Sequence, residues 1–397
     1  MGVQSSANEG GSVEQVRIGV VGVGGMGSSH ARKLKEVEEA VLTCVCDINP
    51  ETARAVGTET GVPWFTDYRH LVDSKKADAV IVATPHWVHP DIAVYAMEKG
   101  LHVLSEKPIA VTVSGADRMV NVARRKKRVF AVMHQRRFEP AIHRAIEMVT
   151  REGILGEVRR TLCVDPWFRS QAYYDSASWR ATWQGEGGGV TLNQAPHDID
   201  LFLKFGGLPS AVRARTRARF HRIEVEDEAD AVLEYENGSW GYYYTTTNEA
   251  LSAAAVTMEI VGEKGKLRLY GDTVTISRFD RPITQAIRES TDMWAKNNET
   301  PVPIDVPQGK GWGGHMAVVR NFCRAILYGE ELLSPGEEGR WTVEFINAII
   351  WSGRTGRTVK LPVSRRRYDA FIEKLKAASK PKEGVREQRV TDPTFTQ

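Results

Sequence analysis

The sequence predicts an α/β chain in two parts: a parallel sheet wound on both faces, then an α+β domain with a large, mostly antiparallel open sheet. Three observations carry that prediction. An apolar run at 18–21 leads into Gly22-Val-Gly-Gly-Met-Gly27 and then into a stretch of helical composition at 28–39. Short apolar strands and helical segments alternate from there to about residue 135, the pattern of a parallel sheet covered on both faces. Beyond residue 136 longer alternating runs take over, joined by turn chemistry such as Asn237-Gly238 and Glu263-Lys-Gly265.

The first strand and its turn set the function class. Gly22 permits a tight turn, Gly24 lets backbone approach a pyrophosphate, and Gly27 lets helix and strand pack closely. The helix that follows offers unpaired N–H groups and the positive end of its dipole to phosphate. A second apolar strand at 41–46 ends on Asp47, about 20 residues beyond the last motif glycine, where a carboxylate accepts both ribose hydroxyls and repels a 2′-phosphate. The reading is a Rossmann dinucleotide-binding domain over 16–135 that takes NAD rather than NADP. Further strands are expected at 64–65, 79–83, 101–104 and 129–132, with helices at 53–61, 68–74, 90–99 and 113–127. Asp47, Thr84, Glu106, Lys107 and Gln135 fall at strand ends, where ligands of such sheets bind.

In the second part, residues 140–151 read as a linking helix. Strands are expected at 157–165, 211–220, 230–235, 240–246, 257–261 and 266–270, and 281–308 reads as a polar, proline-containing excursion. Helices at 316–328 and 336–353 are expected to close a substrate-binding and oligomerisation domain over 136–362. Residues 363–397 read as a basic tail with one helix, and 1–15 as a disordered leader.

Composition narrows the rest. Hydrophobic residues make up 42% and charged residues 26%, the balance of a soluble globular protein. A net charge of +3 does not argue for nucleic acid, and no apolar stretch approaches the roughly 18 residues of a membrane span. Cys44, Cys46, Cys163 and Cys323 form no C-x-x-C pair and no metal-ligand spacing, so no metal is expected and a reducing, cytoplasmic setting fits.

Two clusters carry chemistry. Lys107, in Glu106-Lys107-Pro108, can donate to a substrate oxygen and favour alkoxide character, and its bond to Pro108 is a candidate cis peptide. In Gly187-Gly-Gly-Val-Thr-Leu-Asn-Gln-Ala-Pro-His-Asp-Ile-Asp200, three glycines would let backbone approach a ligand. Asn193, His197 and Asp200 can share a helix face there, and His197 is a natural base for a hydroxyl proton. The preceding loop holds Trp167, Arg169, Tyr173, Tyr174, Trp179, Arg180 and Trp183. Aromatic faces stack on pyranose rings, and Arg and Tyr tips reach hydroxyls. His315, after Gly311-Trp-Gly-Gly, is a further substrate candidate.

Gly22-x-Gly-x-x-Gly27, Ala83-Thr-Pro-His-Trp-Val-His89, Glu106-Lys-Pro108, and Gly187-Gly-Gly with His197-x-x-Asp200 together resemble the Gfo/Idh/MocA oxidoreductases over roughly 16–362. The resemblance implies NAD(P)-dependent oxidation of a secondary hydroxyl, or reduction of a ketone, on a sugar, glycoside or cyclitol, with C3 one candidate position. It implies a cofactor site of Gly22, Gly24, Gly25, Met26, Gly27, Asp47, Ile48, Thr84, Pro85, His86, His89, Glu106, Lys107 and Gln135, and a homodimer or homotetramer formed through the C-terminal sheet. Catalysis then falls to Lys107, His197 and Asn193, and substrate binding to these with Trp167, Arg169, Tyr173, Trp179, Arg180 and His315. Inositol-dehydrogenase-like members carry Asp four residues before the histidine. Here Asn193 stands in its place, and an amide cannot relay a proton. Two other readings remain: redox-neutral glycoside cleavage through transient C3 oxidation on bound NAD, and a non-catalytic NAD and sugar sensor.

Overall fold

The computed structural model describes residues 14–250, 255–307 and 311–386. Strand β1 (Val16–Val21) is buried almost throughout, and its glycine turn leads into α1 (Gly25–Lys33). The elements β2 (Ala40–Cys46), α2 (Pro50–Thr60), β3 (Trp64–Phe65), α3 (Tyr68–Asp73) and β4 (Ala79–Val82) follow. Next come α4 (His89–Glu98), β5 (His102–Ser105), α5 (Val113–Lys126) and β6 (Phe130–Val132). The strands pair in parallel in the order β3-β2-β1-β4-β5-β6, so the order reverses beside β1 and opens a crevice at the strand ends. The helix expected at 28–39 is shorter and earlier. It starts at Gly25, gives way to a 3-10 turn at Leu34–Glu36, and ends where Val37 turns extended.

The second part begins with α6 (Pro140–Thr150), β7 (Val158–Pro166), α7 (Gln171–Asp175), α8 (Val190–Asn193) and α9 (Pro196–Gly206). It continues through β8 (Ala211–Arg217), β9 (Glu228–Glu234), β10 (Trp240–Thr246), β11 (Thr257–Gly262), β12 (Gly265–Tyr270), β13 (Thr273–Phe279), α10 (Ile283–Glu289) and β14 (Glu299–Val302). The remaining elements are α11 (Gly314–Tyr328), α12 (Gly336–Thr355), β15 (Val359–Lys360) and α13 (Arg365–Ala378). Among the described residues these strands form a nine-stranded sheet, β14-β13-β12-β11-β7-β10-β9-β8-β15, antiparallel except for β7 with β10. Strand β13 was not expected. The Gly271-Asp272 turn folds it back on β12, and Val274 and Ile276 alternate into the core. The excursion expected at 281–308 also contains α10 and the edge strand β14.

Two helices sit elsewhere than expected. α11 packs on the first sheet, where Val318, Phe322 and Cys323 share a core with Ile18, Val20 and Ile81. α13 is no loose tail, because Tyr368 and Ile372 are buried in the core of the second sheet. α12 bridges the two parts, with Val343 in the first sheet's core and Phe345, Ile346 and Ile349 in the second's. The expected leader lies outside the described residues except for Glu14 and Gln15, as does the tail beyond Arg386. No helix among the described residues is long and apolar enough to cross a membrane.

A buried ionic network ties the halves together. Arg137, 2% exposed, donates from Nε and Nη2 to the two Asp200 carboxylate oxygens at 2.7 and 2.6 Å and also pairs with Glu338. Lys204 reaches the same Glu338 at 2.8 Å, and His134 lies 3.1 Å from Asp200. Burial opposes ionisation of Asp200, but the charges of Arg137 and His134 outweigh it and hold its pKa below the usual value. Removing one member strands the others. Arg137→Met is therefore expected to cost about 3–5 kcal/mol in urea unfolding, with much of it recovered when Asp200→Leu is added. A loss below about 1 kcal/mol contradicts the assignment.

Candidate active site

The cofactor end of the crevice is shaped by three glycines with different tasks. Gly22 has φ +86°, a left-handed conformation that side chains disfavour. A Cβ on Gly27 would lie 1.8 Å from the Gly22 carbonyl oxygen, whereas one on Gly24 meets nothing within 4 Å. The turn is closed against the protein at Gly27 and open at Gly24, which is what a pyrophosphate needs. α1 has no side-chain cap and no acidic residue in its first turn. Asp47 ends β2 and accepts from the Asn49 N–H at 2.9 Å, beside an Ile48 that is 90% exposed. Met26 and Gly25 lie in the open first turn. Thr84 keeps a buried hydroxyl with no partner at the end of β4, next to Pro85. These residues fit an NAD.

Other expected cofactor contacts serve the framework. His89 is fully buried, its ring nitrogens 3.0 Å from the Pro108 carbonyl and 2.6 Å from that of Thr84, so it clasps two strand ends. His86 is buried with its Nδ1 unpartnered. Burial, with the charges of His89 and Lys107, keeps its pKa well below the ordinary value. Glu106 sits 2.7 Å from His30, a residue the sequence reading missed although it lies three positions after Gly27 on the same helix. Burial works against the Glu106 anion, but His30, His315 and Lys107 prevail and hold its pKa at about 2. The His315 ring lies 5.4 Å from that of His30, and burial drives its pKa down to about 4, so it stands on the Glu106 side of the site.

Lys107 and His197 converge from opposite halves. The Lys107–Pro108 bond is cis, as its position suggested, and Lys107 Nζ donates to the Asn193 backbone carbonyl at 2.8 Å. Burial lowers the Lys107 pKa to about 8, with Arg169 and Arg180 lowering it and Glu106 and Glu186 opposing. α8 breaks at Gln194 and α9 restarts with Pro196 in its first turn, which sets His197 3.4 Å from the Gln135 amide. His197 is 6% exposed, and burial followed by the Lys107 charge holds its pKa well below 6.5.

Three features of this stretch meet protein partners. Asp200, which can share a helix face with His197, pairs with Arg137 at 2.6 Å. The Asn193 amide pairs with Glu186, a 1%-exposed carboxylate that the sequence reading also missed. Gly187 to Gly189 pack against protein, since added Cβ atoms would strike Val111, Leu192 and the Glu226 backbone at 2.3, 2.9 and 1.8 Å.

The aromatic loop divides. Tyr174 and Trp183 are buried in the second core, leaving Trp167, Tyr173 and Trp179 as a stack interleaved with guanidinium groups. Arg169 lies 5.5 Å from the Trp167 ring and 5.0 Å from that of Tyr173, and Arg180 lies 4.3 Å from Tyr173 and 4.7 Å from Trp179. The Tyr173 hydroxyl accepts from Arg180 at 2.6 Å and from Gln194 at 2.9 Å, joining this wall to the residue after Asn193. Gly27→Ala, which collides with the turn, is expected to weaken NADH binding at least about tenfold in a fluorescence titration. An unchanged affinity would remove the glycine turn from the cofactor site.

Comparison with known proteins agrees with this fold. Residues 16–134 match the family model described as an oxidoreductase family with an NAD-binding Rossmann fold, and 143–268 match the Gfo/Idh/MocA C-terminal domain. An uncharacterised oxidoreductase of Streptococcus pneumoniae is 30% identical over 64% of this chain and 72% of its own. The myo-inositol 2-dehydrogenase of Thermotoga maritima is 24% identical over 87% of this chain and 98% of its own. The WlbA dehydrogenase of Bordetella pertussis, solved with NADH and UDP-GlcNAcA, superposes with a TM-score of 0.72 at 28% identity, covering 88% of this chain and all of that one. The chain belongs to the Gfo/Idh/MocA oxidoreductases and has their NAD-binding Rossmann domain.

Proposed function

We propose that this chain is an NAD-dependent dehydrogenase acting on a secondary hydroxyl of a sugar, glycoside or cyclitol, with C3 the position to test first. One observation carries the reading: the Lys107 ammonium is bonded at 2.8 Å to the carbonyl four residues before His197, so an amine and an imidazole from separate domains share one crevice. The Thermotoga inositol dehydrogenase and the sugar-nucleotide complex of WlbA support a polyhydroxylated ring as substrate. Gly22, Gly24, Gly27, Asp47 and Thr84 would hold the cofactor, and NAD, when bound, supplies the hydride acceptor.

The proton roles follow from electrostatics and differ from the first expectation. His197 is expected from the sequence to take the hydroxyl proton. In the fold an imidazolium would stand buried beside Lys107, and burial with that charge disfavours it. Lys107, lowered by burial to about 8, is the better-matched carrier near neutral pH. In oxidation neutral Lys107 takes the hydroxyl proton while neutral His197 holds the same oxygen by a hydrogen bond. In reduction the ammonium returns the proton. Asn193 positions Lys107 through its backbone, and its side-chain amide donates to Glu186, a bond the Asp of inositol-dehydrogenase-like members could not make as an anion. The outer face of the second sheet, with Trp240 58% and Tyr242 39% exposed, supports assembly of copies through that face.

The test is the pH dependence of kcat/KM for oxidation, read as NADH formation. The rate is expected to rise with pH and level off above about 8, because the folded pKa of Lys107 is depressed and the neutral form takes over there. Lys107→Ala is expected to lower turnover about 10²–10⁴-fold while NADH still binds. A profile that falls through pH 8 returns the base to His197, and an unimpaired variant ends the proposal. Glycoside cleavage with no net NADH would favour the redox-neutral route on the same residues.

A further inference from the structure

The wall facing Lys107 carries more positive charge than a neutral sugar requires. Arg180 is half-buried on the loop after α7, and its guanidinium donates one hydrogen bond, from Nη1 to the Tyr173 hydroxyl. Its Nε is buried with no acceptor, and among the described residues Arg180 makes no ion pair. The acidic group nearest in charge terms, Glu186, is already engaged by the Ala181 N–H at 2.6 Å and by the Asn193 amide. Beside it Gln194 donates to the same Tyr173 hydroxyl and leaves its own buried Oε1 unpartnered. The Arg180 guanidinium carbon lies over the Tyr173 and Trp179 rings, at 4.3 and 4.7 Å from their centroids.

An arginine held this way is an incomplete site. A buried guanidinium N–H without an acceptor is costly, and the Nε–Nη2 edge is a planar fork that matches a carboxylate through two parallel bonds. Arg180 also lies within Coulombic reach of Lys107 and His86, so its charge acts on the same crevice in which the hydroxyl would react. An anion on the substrate would neutralise this wall, and the Gln194 oxygen would accept from a neighbouring hydroxyl.

Resting on the dehydrogenase reading, we propose that the sugar oxidised here carries a carboxylate, as a uronic acid or other sugar acid does, gripped by the Nε–Nη2 edge of Arg180. Lys107 and His197 then address a ring hydroxyl while Arg180 fixes the distance from that hydroxyl to the acid group. This makes Arg180 a specificity-determining residue and Tyr173 its positioning residue.

The experiment pairs pyranosides that differ only at the exocyclic carbon. Methyl uronides of gluco, galacto and manno configuration are set against the matching methyl pyranosides and their 6-phosphates, with NAD. Turnover is read as NADH formation, and binding to the NADH complex is read by calorimetry. In at least one set the uronide is expected to exceed its neutral partner by about 10²-fold or more in kcat/KM. That ratio is expected to collapse toward one in Arg180→Gln, and to fall by a smaller factor in Arg180→Lys, which keeps the charge and loses the fork. Because each variant serves as its own control, a general loss of activity does not move the ratio.

Neutral members that equal or beat the uronides in every set, or a preference that survives Arg180→Gln, overturn the proposal. A preference for the 6-phosphates replaces a carboxylate with a phosphate and likewise overturns it. If uronides bind to wild type, fail to bind Arg180→Gln, and no sugar reduces NAD, the anion site stands and the dehydrogenase reading falls.

Discussion

The structure depends on a set of contacts that stitch the end of β6 to the start of α9. Three consecutive residues, Gln135, Arg136 and Arg137, reach His197, Asp198 and Asp200 respectively. The first contact is a weak amide–imidazole approach at 3.4 Å, the second an ion pair from a half-buried arginine to a buried carboxylate, and the third a fully buried ion pair. Charges in such a place are tolerated only when their partners are met with good geometry, so the register between the two domains has little freedom. His197 sits on the one helix whose position these pairs dictate. Its approach to Lys107 is therefore a consequence of the interface, not of either domain alone.

The same interface explains the chemistry. The carbonyl at the end of α8 meets Lys107 beyond the tip of β5, and burial is the largest influence on this half-buried ammonium. A lysine with a pKa of about 8 keeps a sizeable neutral fraction at working pH, which an exposed one does not. The carbonyl of Asn193 keeps that ammonium aimed, and the clasp of His89 on the carbonyls of Thr84 and Pro108 keeps the two strand ends in step. Charge is thus concentrated at a crevice whose floor, Gly24, is left open for a pyrophosphate.

Much of this is legible in the chain because it depends on local pattern. Apolar runs with Gly22, Gly24 and Gly27 specify strand, turn and helix, and Glu106-Lys-Pro108 specifies a strand tip. What escapes depends on distant pairing. His30 carries no motif that points to Glu106, 76 positions away, and Glu186 reads as an ordinary polar residue until the fold buries it against Asn193. The glycines at 187–189 show the opposite error. Local composition suggests a ligand cradle, whereas Val111 and the Glu226 backbone fill that space. α11 reads as a closing helix of the second domain because sequence adjacency favours that choice. Its apolar face, Val318 and Phe322, matches the bare side of the first sheet instead.

The account stands on an amine and an imidazole flanking one reacting carbon across a domain boundary. A crystal structure of the enzyme with NAD and a sugar bound tests it most directly. The expected result places nicotinamide C4 in the crevice with Lys107 Nζ and His197 Nε2 on the same face, separated by the width of one six-membered ring and each within about 4 Å of the reacting hydroxyl. A nicotinamide ring that lies outside this crevice, or that leaves the two side chains on opposite faces, contradicts it.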